Sequence, residues 1–163
     1  MKLSGKLFLG AVGLIAAVQL VRCERTNPPV TGDIETPADV KQVMRRACYD
    51  CHSNETRWPW YAQLAPVSWL LHRDVVEGRR HLNFSEWDKL PADRRQRRKA
   101  SCGREVKSGD MPLWFYLPLH PAAKLSDRDR SLLQDWAIAS EVPSRRPGTA
   151  NSTPPANPEH PEH

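Results

Sequence analysis

The feature that most constrains this chain is the pentapeptide Cys48-Tyr49-Asp50-Cys51-His52. Two cysteines that are separated by two residues and followed at once by a histidine fit the attachment site of a c-type haem. In such a site each thiol adds to one vinyl group of the porphyrin, and the histidine binds the iron as its proximal ligand. The motif therefore predicts a domain folded around one covalently bound haem c.

Other sites also use closely spaced cysteines. A redox-active pair usually follows a strand in a βαβ pattern, which this sequence does not show. A structural zinc site needs four protein ligands, usually as two pairs, whereas Cys23 and Cys102 each stand alone. A disulfide between Cys48 and Cys51 would close a very short, strained loop. We therefore favour haem attachment, with a zinc site or a redox dithiol as the alternatives.

Length and composition are those of a small helical domain. The 163 residues suit one domain, and few β-branched residues alternate with polar ones, which argues against a sheet. The net charge of +5 would suit a nucleic-acid partner, but no nucleic-acid-binding motif is present. We expect an all-α, c-type cytochrome-like domain of about four helices around the haem, with no nucleic acid as partner.

The N-terminus predicts export. Lys2 and Lys6 precede an apolar run at residues 7–21, and charged residues follow it. This order of charge and hydrophobicity is typical of an export signal. The run is short for a spanning helix of about 20 residues, but no clear cleavage site follows it. We expect an uncleaved anchor in the inner membrane with the domain in the bacterial periplasm; a cleaved signal is the alternative.

The haem-attachment helix is expected after an extended linker at residues 27–35. Thr36 is predicted as its N-cap and Pro37 as its first residue. Apolar residues then recur at helical spacing as far as Cys51, so His52 is expected where the helix stops.

Three more helices are predicted along the chain. One begins at Pro66, a strongly basic one spans residues 91–107, and Ser126 caps the last, which should pack against the first. We interpret the basic helix as a solvated face, from which an arginine can also meet a haem propionate. The predicted boundaries are a membrane segment at 1–25, a haem-binding domain at 26–141 and a disordered, Pro-rich tail at 142–163.

Met111 is the candidate for the sixth iron ligand. It follows Gly109, which should end the basic helix, and precedes Pro112. A methionine thioether paired with a histidine raises the reduction potential and suits electron transfer. His120 is the alternative ligand. Four aromatic residues are predicted to enclose the haem: Trp58, Trp60, Tyr61 and Tyr116.

Several short stretches carry a resemblance to a known family. Besides the pentapeptide they include Trp58-Pro59-Trp60-Tyr61, Leu82-Asn83-Phe84-Ser85, Met111-Pro112 and His120-Pro121. Through these stretches the chain resembles the bacterial haem-binding domain family, and the resemblance covers residues 26–137. Members of this family are small exported proteins with one C-x-x-C-H motif. The resemblance implies a membrane-anchored periplasmic monohaem protein, with Cys48 and Cys51 attaching the haem and His52 and Met111 binding the iron.

No catalytic arrangement is evident in the sequence: there is neither a pair of acids placed for one pocket nor a Ser-His-Asp set. We therefore predict single-electron transfer, with a periplasmic or membrane redox protein as partner. The alternative is a haem-based sensor or a peroxidase-type enzyme with an exchangeable sixth ligand. Cys102 is predicted to be a buried free thiol.

Overall fold

The computed structural model describes residues 2–139, so the tail predicted at 142–163 lies outside the described part. Within that part the chain forms α-helices joined by loops and short 3-10 turns, and it contains no strand. The prediction of an all-α fold is confirmed, with more helices than expected. The helices are α1 (Lys2–Val18), α2 (Ala38–Ala47), α3 (Tyr49–His52), α4 (Val67–His81), α5 (Ala92–Ser108) and α6 (Asp127–Ile138).

The first helix, α1, has exposed apolar side chains around its whole circumference, among them Leu7, Phe8 and Leu9. The residues that follow it are held to the rest of the chain by hydrogen bonds. The Gln19 side chain donates to the Ala65 carbonyl and accepts from the Ala65 amide, both at 3.0 Å. Across residues 2–139, none of the helices combines the length and the apolar character that crossing a membrane requires.

The segment predicted as a linker is part of the domain. Its backbone is extended but pairs with the loop after α4: the amides of Thr31 and Gly32 donate to the Ser85 carbonyl, and the Ile34 amide donates to the Phe84 carbonyl. The Ile34 side chain is only 2% exposed. Burial of this apolar side chain, together with the backbone pairing, explains why the segment is fixed rather than free.

The predicted attachment helix is divided into two helices at Cys48. Helix α2 begins at Ala38 with Pro37 as its N-cap, so the prediction of Thr36 as the cap is wrong. It ends at Ala47, and Cys48 has the non-helical angles φ −127° and ψ −36°. This break is followed by Tyr49, which is buried and whose ring stacks on Phe84 with centroids 5.2 Å apart. His52 ends α3, as expected.

Helices α5 and α6 pack closely against each other. At Gly103 of α5 an added Cβ would lie 2.6 Å from the Cβ of Ala137, so the approach requires a glycine. Lys99, predicted on a solvated face, is buried and donates a 2.9 Å hydrogen bond to the Ala139 carbonyl at the end of α6. The carbonyl end of a helix carries partial negative charge, which favours a cation there.

The start of α6 follows the sequence prediction. Ser126 is the N-cap, and the Asp129 side chain completes a capping box with it. Asp129 also forms a 2.6 Å ion pair with Arg46 of α2. Helix α6 therefore packs mainly on α5 and is joined to α2, the helix it was expected to contact, at its first turn.

The buried core lies directly behind the cysteine motif. Met44, Phe84 and Leu133 are among its most completely buried side chains. Cys48 and Cys102 pack against this cluster from outside. The core therefore supports the surface from which the motif residues project.

Candidate functional site

A cleft of about 670 Å³ opens between the motif, α4, α5 and the loop after α5. Small-molecule and cofactor sites have volumes of about 300–1,000 Å³ and are mostly apolar. The cleft has both properties, since most of its lining is aliphatic or aromatic. These apolar residues include Val67, Leu70, Leu71, Leu82, Phe84, Val106, Leu113, Phe115, Leu119 and Leu125.

Both motif cysteines line this cleft, and neither forms a disulfide. Burial raises the pKa of both thiols, that of Cys51 to about 12. Cys102 of α5 lines the same cleft and is also free, and burial raises its pKa to about 11. At neutral pH the cleft therefore contains three protonated thiols.

His52 has a defined orientation in the cleft. Its Nδ1 lies 3.0 Å from the carbonyl oxygens of both Gly78 and Leu82. Because carbonyls only accept hydrogen bonds, we assign the proton to Nδ1, which leaves a free lone pair on Nε2. Burial lowers the pKa of His52 and so favours the neutral ring. A neutral imidazole whose other nitrogen is hydrogen-bonded is the usual form of a metal-bound histidine.

Helix α4 reaches His52 because position 78 is a glycine. A Cβ at Gly78 would lie 2.5 Å from the Cys51 carbonyl oxygen, inside any real contact distance. Sequence analysis did not identify this role of Gly78. The available signal was an isolated glycine inside a helical pattern, which marks a close approach of backbones.

Arg79 holds the chain on either side of the motif together. Its guanidinium donates to the Ser53 carbonyl at 2.8 Å and to the Thr56 hydroxyl at 2.8 Å. It also donates to the Thr26 carbonyl at 3.0 Å and to the Asn27 side chain at 2.9 Å. Sequence analysis assigned this arginine no structural role, because nothing in its local sequence distinguishes it from an exposed arginine.

Met111 lies in the same cleft as the motif residues. Helix α5 ends at Gly109, whose φ of +84° is in the left-handed region that favours glycine. The Met111 amide donates to the Glu105 carbonyl at 3.2 Å, which holds the start of the loop against the last turn of α5. The fold thus brings Cys48, Cys51, His52 and Met111 to one cavity.

Tyr116 lines the cleft and connects the Met111 loop to the motif. Its hydroxyl donates to Asp50 at 2.8 Å, and its ring stacks on His120 with centroids 3.7 Å apart. His120 itself does not line the cleft. Its Nδ1 lies 3.1 Å from the Tyr116 carbonyl and its Nε2 lies 3.2 Å from the Tyr61 hydroxyl. Both nitrogens of this alternative ligand therefore have protein partners.

The two predicted tryptophans lie elsewhere. Neither Trp58 nor Trp60 lines the cleft, and Trp60 is 73% exposed. Tyr61, which was predicted together with them, does line the cleft. A 3-10 turn begins at Trp60, so consecutive side chains project in different directions, and the second of the pair is the one directed inward.

Charged groups also lie along the cleft. Of the arginines predicted on the basic helix, Arg98 is the one in the lining, and it is solvent-exposed. Asp74 and Glu77 of α4 line the cleft as well, and burial raises the pKa of Asp74. An exposed arginine beside an apolar cavity suits a ligand that carries a carboxylate at its solvent-facing edge.

Comparison with known proteins identifies the family of this chain. No curated protein and no solved structure matches it. The family model described as "Haem-binding domain" matches residues 12–139, which include the motif, the cleft and every domain helix from α2 to α6. Because the match covers most of the 163 residues, the chain belongs to the haem-binding domain family.

Proposed function

We propose that this protein binds one haem c covalently through Cys48 and Cys51 and transfers single electrons in the bacterial periplasm. Membership of the haem-binding domain family supports haem as the cofactor. One observation carries the covalent form: two free cysteines and an imidazole whose Nδ1 is hydrogen-bonded to the backbone share a cleft of cofactor size. The residues present therefore fit the group.

Cys48 and Cys51 would hold the haem covalently. Each S–H would add across one vinyl double bond, so that one carbon–sulfur bond and one carbon–hydrogen bond would form without net oxidation. His52 would bind the iron through Nε2, while the Gly78 and Leu82 carbonyls keep its ring in place. The bound group supplies one-electron chemistry at its iron. Arg98 is placed to pair with a propionate.

Met111 is the sixth ligand in this proposal. It lies in the cleft, whereas His120 lies outside it with both nitrogens engaged by tyrosine groups. A neutral thioether favours ferrous iron and raises the reduction potential, which suits a protein that passes electrons on.

The proposed location follows from the N-terminus. The basic start, the apolar side chains exposed around α1 and the position of α1 before the domain support export and attachment to the inner membrane. In that location the partner is a periplasmic or membrane redox protein.

Covalent binding is tested by acid-acetone extraction of protein made in cells that mature c-type cytochromes. The haem should stay on the polypeptide. Serine variants of Cys48 and Cys51 should each retain less covalent haem than the wild type, and Cys102→Ser is the matched control because it alters a third thiol of the same cleft. Complete extraction of haem from the wild type would refute covalent attachment.

The sixth ligand is tested by redox titration and by carbon monoxide binding to the reduced protein. Met111→Ala should lower the potential and open the iron to carbon monoxide, because it removes a soft neutral ligand. His120→Ala is the control and should change neither property. A wild type that binds carbon monoxide as readily as Met111→Ala would instead support a haem-based sensor or a peroxidase-type enzyme.

A further inference from the structure

Four exposed apolar side chains occur within residues 60–70, on the stretch of chain that leads into α4: Trp60, Leu64, Val67 and Leu70, which we call the rim surface. Trp60 is 73% exposed, and the other three are between 45% and 48% exposed. Val67 and Leu70 also line the cleft. Grouped apolar side chains exposed on a protein surface indicate an interaction site.

Hydrogen bonds join the end of α1 to the same stretch of chain. Gln19 exchanges two hydrogen bonds with Ala65, and the Trp69 indole donates to the Val21 carbonyl at 2.9 Å. These contacts place the end of α1 beside the rim surface.

The position of α1 indicates what covers the rim surface. A helix that is apolar on every side needs an apolar environment around it. Apolar side chains next to such a helix would enter the same environment. Trp60 belongs to the rim surface, and the Trp69 indole donates a hydrogen bond to Val21, three residues after the end of α1. Tryptophan is enriched at the boundary between lipid and water because its ring is apolar and its indole N–H is polar.

We propose that the rim surface rests on the lipid bilayer beside α1, so that the mouth of the cleft faces the membrane. This inference depends on the proposed attachment of α1 to the membrane. It does not depend on covalent haem binding or on electron transfer. With the cleft mouth facing the membrane, the edge of the cofactor would lie near the bilayer surface, where a redox partner in the membrane can approach it.

Hydroxyl-radical footprinting of the full, haem-loaded chain tests the proposal. The chain is placed in nanodiscs of phosphatidylethanolamine and phosphatidylglycerol at a single chain per disc, and oxidation is located by mass spectrometry. Trp114 is the internal reference, because it is 80% exposed, close to the 73% of Trp60, but lies on the loop after α5. If the rim surface enters the headgroup region, Trp60 should oxidise about fivefold more slowly than Trp114.

Two results would overturn the proposal. Equal oxidation rates for Trp60 and Trp114 would show that lipid does not cover the rim surface. Protection of Trp60 that appears only with several chains per disc would assign the surface to a second copy of the chain instead of lipid. Because the readout is side-chain access, it remains valid if the haem of the same preparation proves extractable by acid-acetone.

Discussion

Gly78→Ala tests whether the close approach of α4 orients His52. The added Cβ would lie 2.5 Å from the Cys51 carbonyl oxygen, whereas ordinary contacts begin at 3.4 Å, so the two backbones must separate by about 0.9 Å. A separation in the direction of the hydrogen bond takes the Gly78 carbonyl from 3.0 Å to as much as about 3.9 Å from His52 Nδ1. That separation exceeds hydrogen-bonding range, and His52 would keep only its bond to Leu82.

The expected change in the free energy of unfolding is the sum of three contributions. Strain from the inserted methyl group is worth about 1–3 kcal/mol, and the lost hydrogen bond about 1 kcal/mol. Alanine returns about 1 kcal/mol through its better helix propensity. The variant should therefore unfold with a free energy about 1–3 kcal/mol lower than the wild type. Its reduction potential should rise, because an imidazole with a weaker Nδ1 hydrogen bond is a less basic iron ligand.

Denaturant unfolding followed by circular dichroism, with a redox titration, measures both effects. Gly10→Ala is the matched control, since Gly10 lies in α1 with no neighbour within 4 Å of an added Cβ. The control should be neutral or slightly stabilising and should leave the potential unchanged. If Gly78→Ala unfolds at the same denaturant concentration as Gly10→Ala and keeps the wild-type potential, the orientation of His52 does not depend on this contact.

Three further outcomes are expected. Tyr116→Phe removes the hydrogen bond to Asp50 and should cost about 1 kcal/mol; by loosening the loop it should also speed carbon monoxide binding in stopped-flow measurements, and an unchanged rate would argue against the link. The hydrogen bond from Arg46 lowers the pKa of Asp129 from 3.8 to about 2, so its stabilising contribution is complete above pH 3.8 and is lost as the pH falls toward 2. Asp129→Asn should flatten Tm against pH in this window, and an unaltered profile would contradict the assignment. Iodoacetamide at pH 7 should label Cys102 only after unfolding, because burial raises its pKa to about 11; rapid labelling of the folded chain, read by mass spectrometry, would show it to be accessible.

Local rules predicted the parts of the fold that depend on neighbouring residues. Ser126 followed by acids specified the start of α6, and Gly109 specified the end of α5. Each signal acts within one helical turn, through a side chain that satisfies free amides or through a left-handed glycine. Met111 and the motif line one cleft, but their roles at an iron remain predictions.

The remaining features depend on contacts between distant parts of the chain. Which of Trp60 and Tyr61 faces the cleft depends on the phase of one 3-10 turn, and no periodic pattern spans so few residues. Lys99 is buried because the end of α6 lies against it, about forty residues further along. Arg79 acquires its role only when residues 26–27 and 53–56 meet.

The hydrogen bonds of the segment after α1 determine how far the domain can move from its point of attachment. A flexible tether of about ten residues would have an end-to-end distance of about 16–19 Å and would let the domain swing toward a partner. Here Arg25 donates to the Ala62 carbonyl, Arg79 holds Thr26 and Asn27, and Asn54 donates to the Pro29 carbonyl. Because these hydrogen bonds prevent such movement, the domain keeps one orientation relative to α1. With α1 attached to the membrane as proposed, an encounter with the proposed redox partner would depend on lateral diffusion of the two proteins and on rotation about the α1 axis.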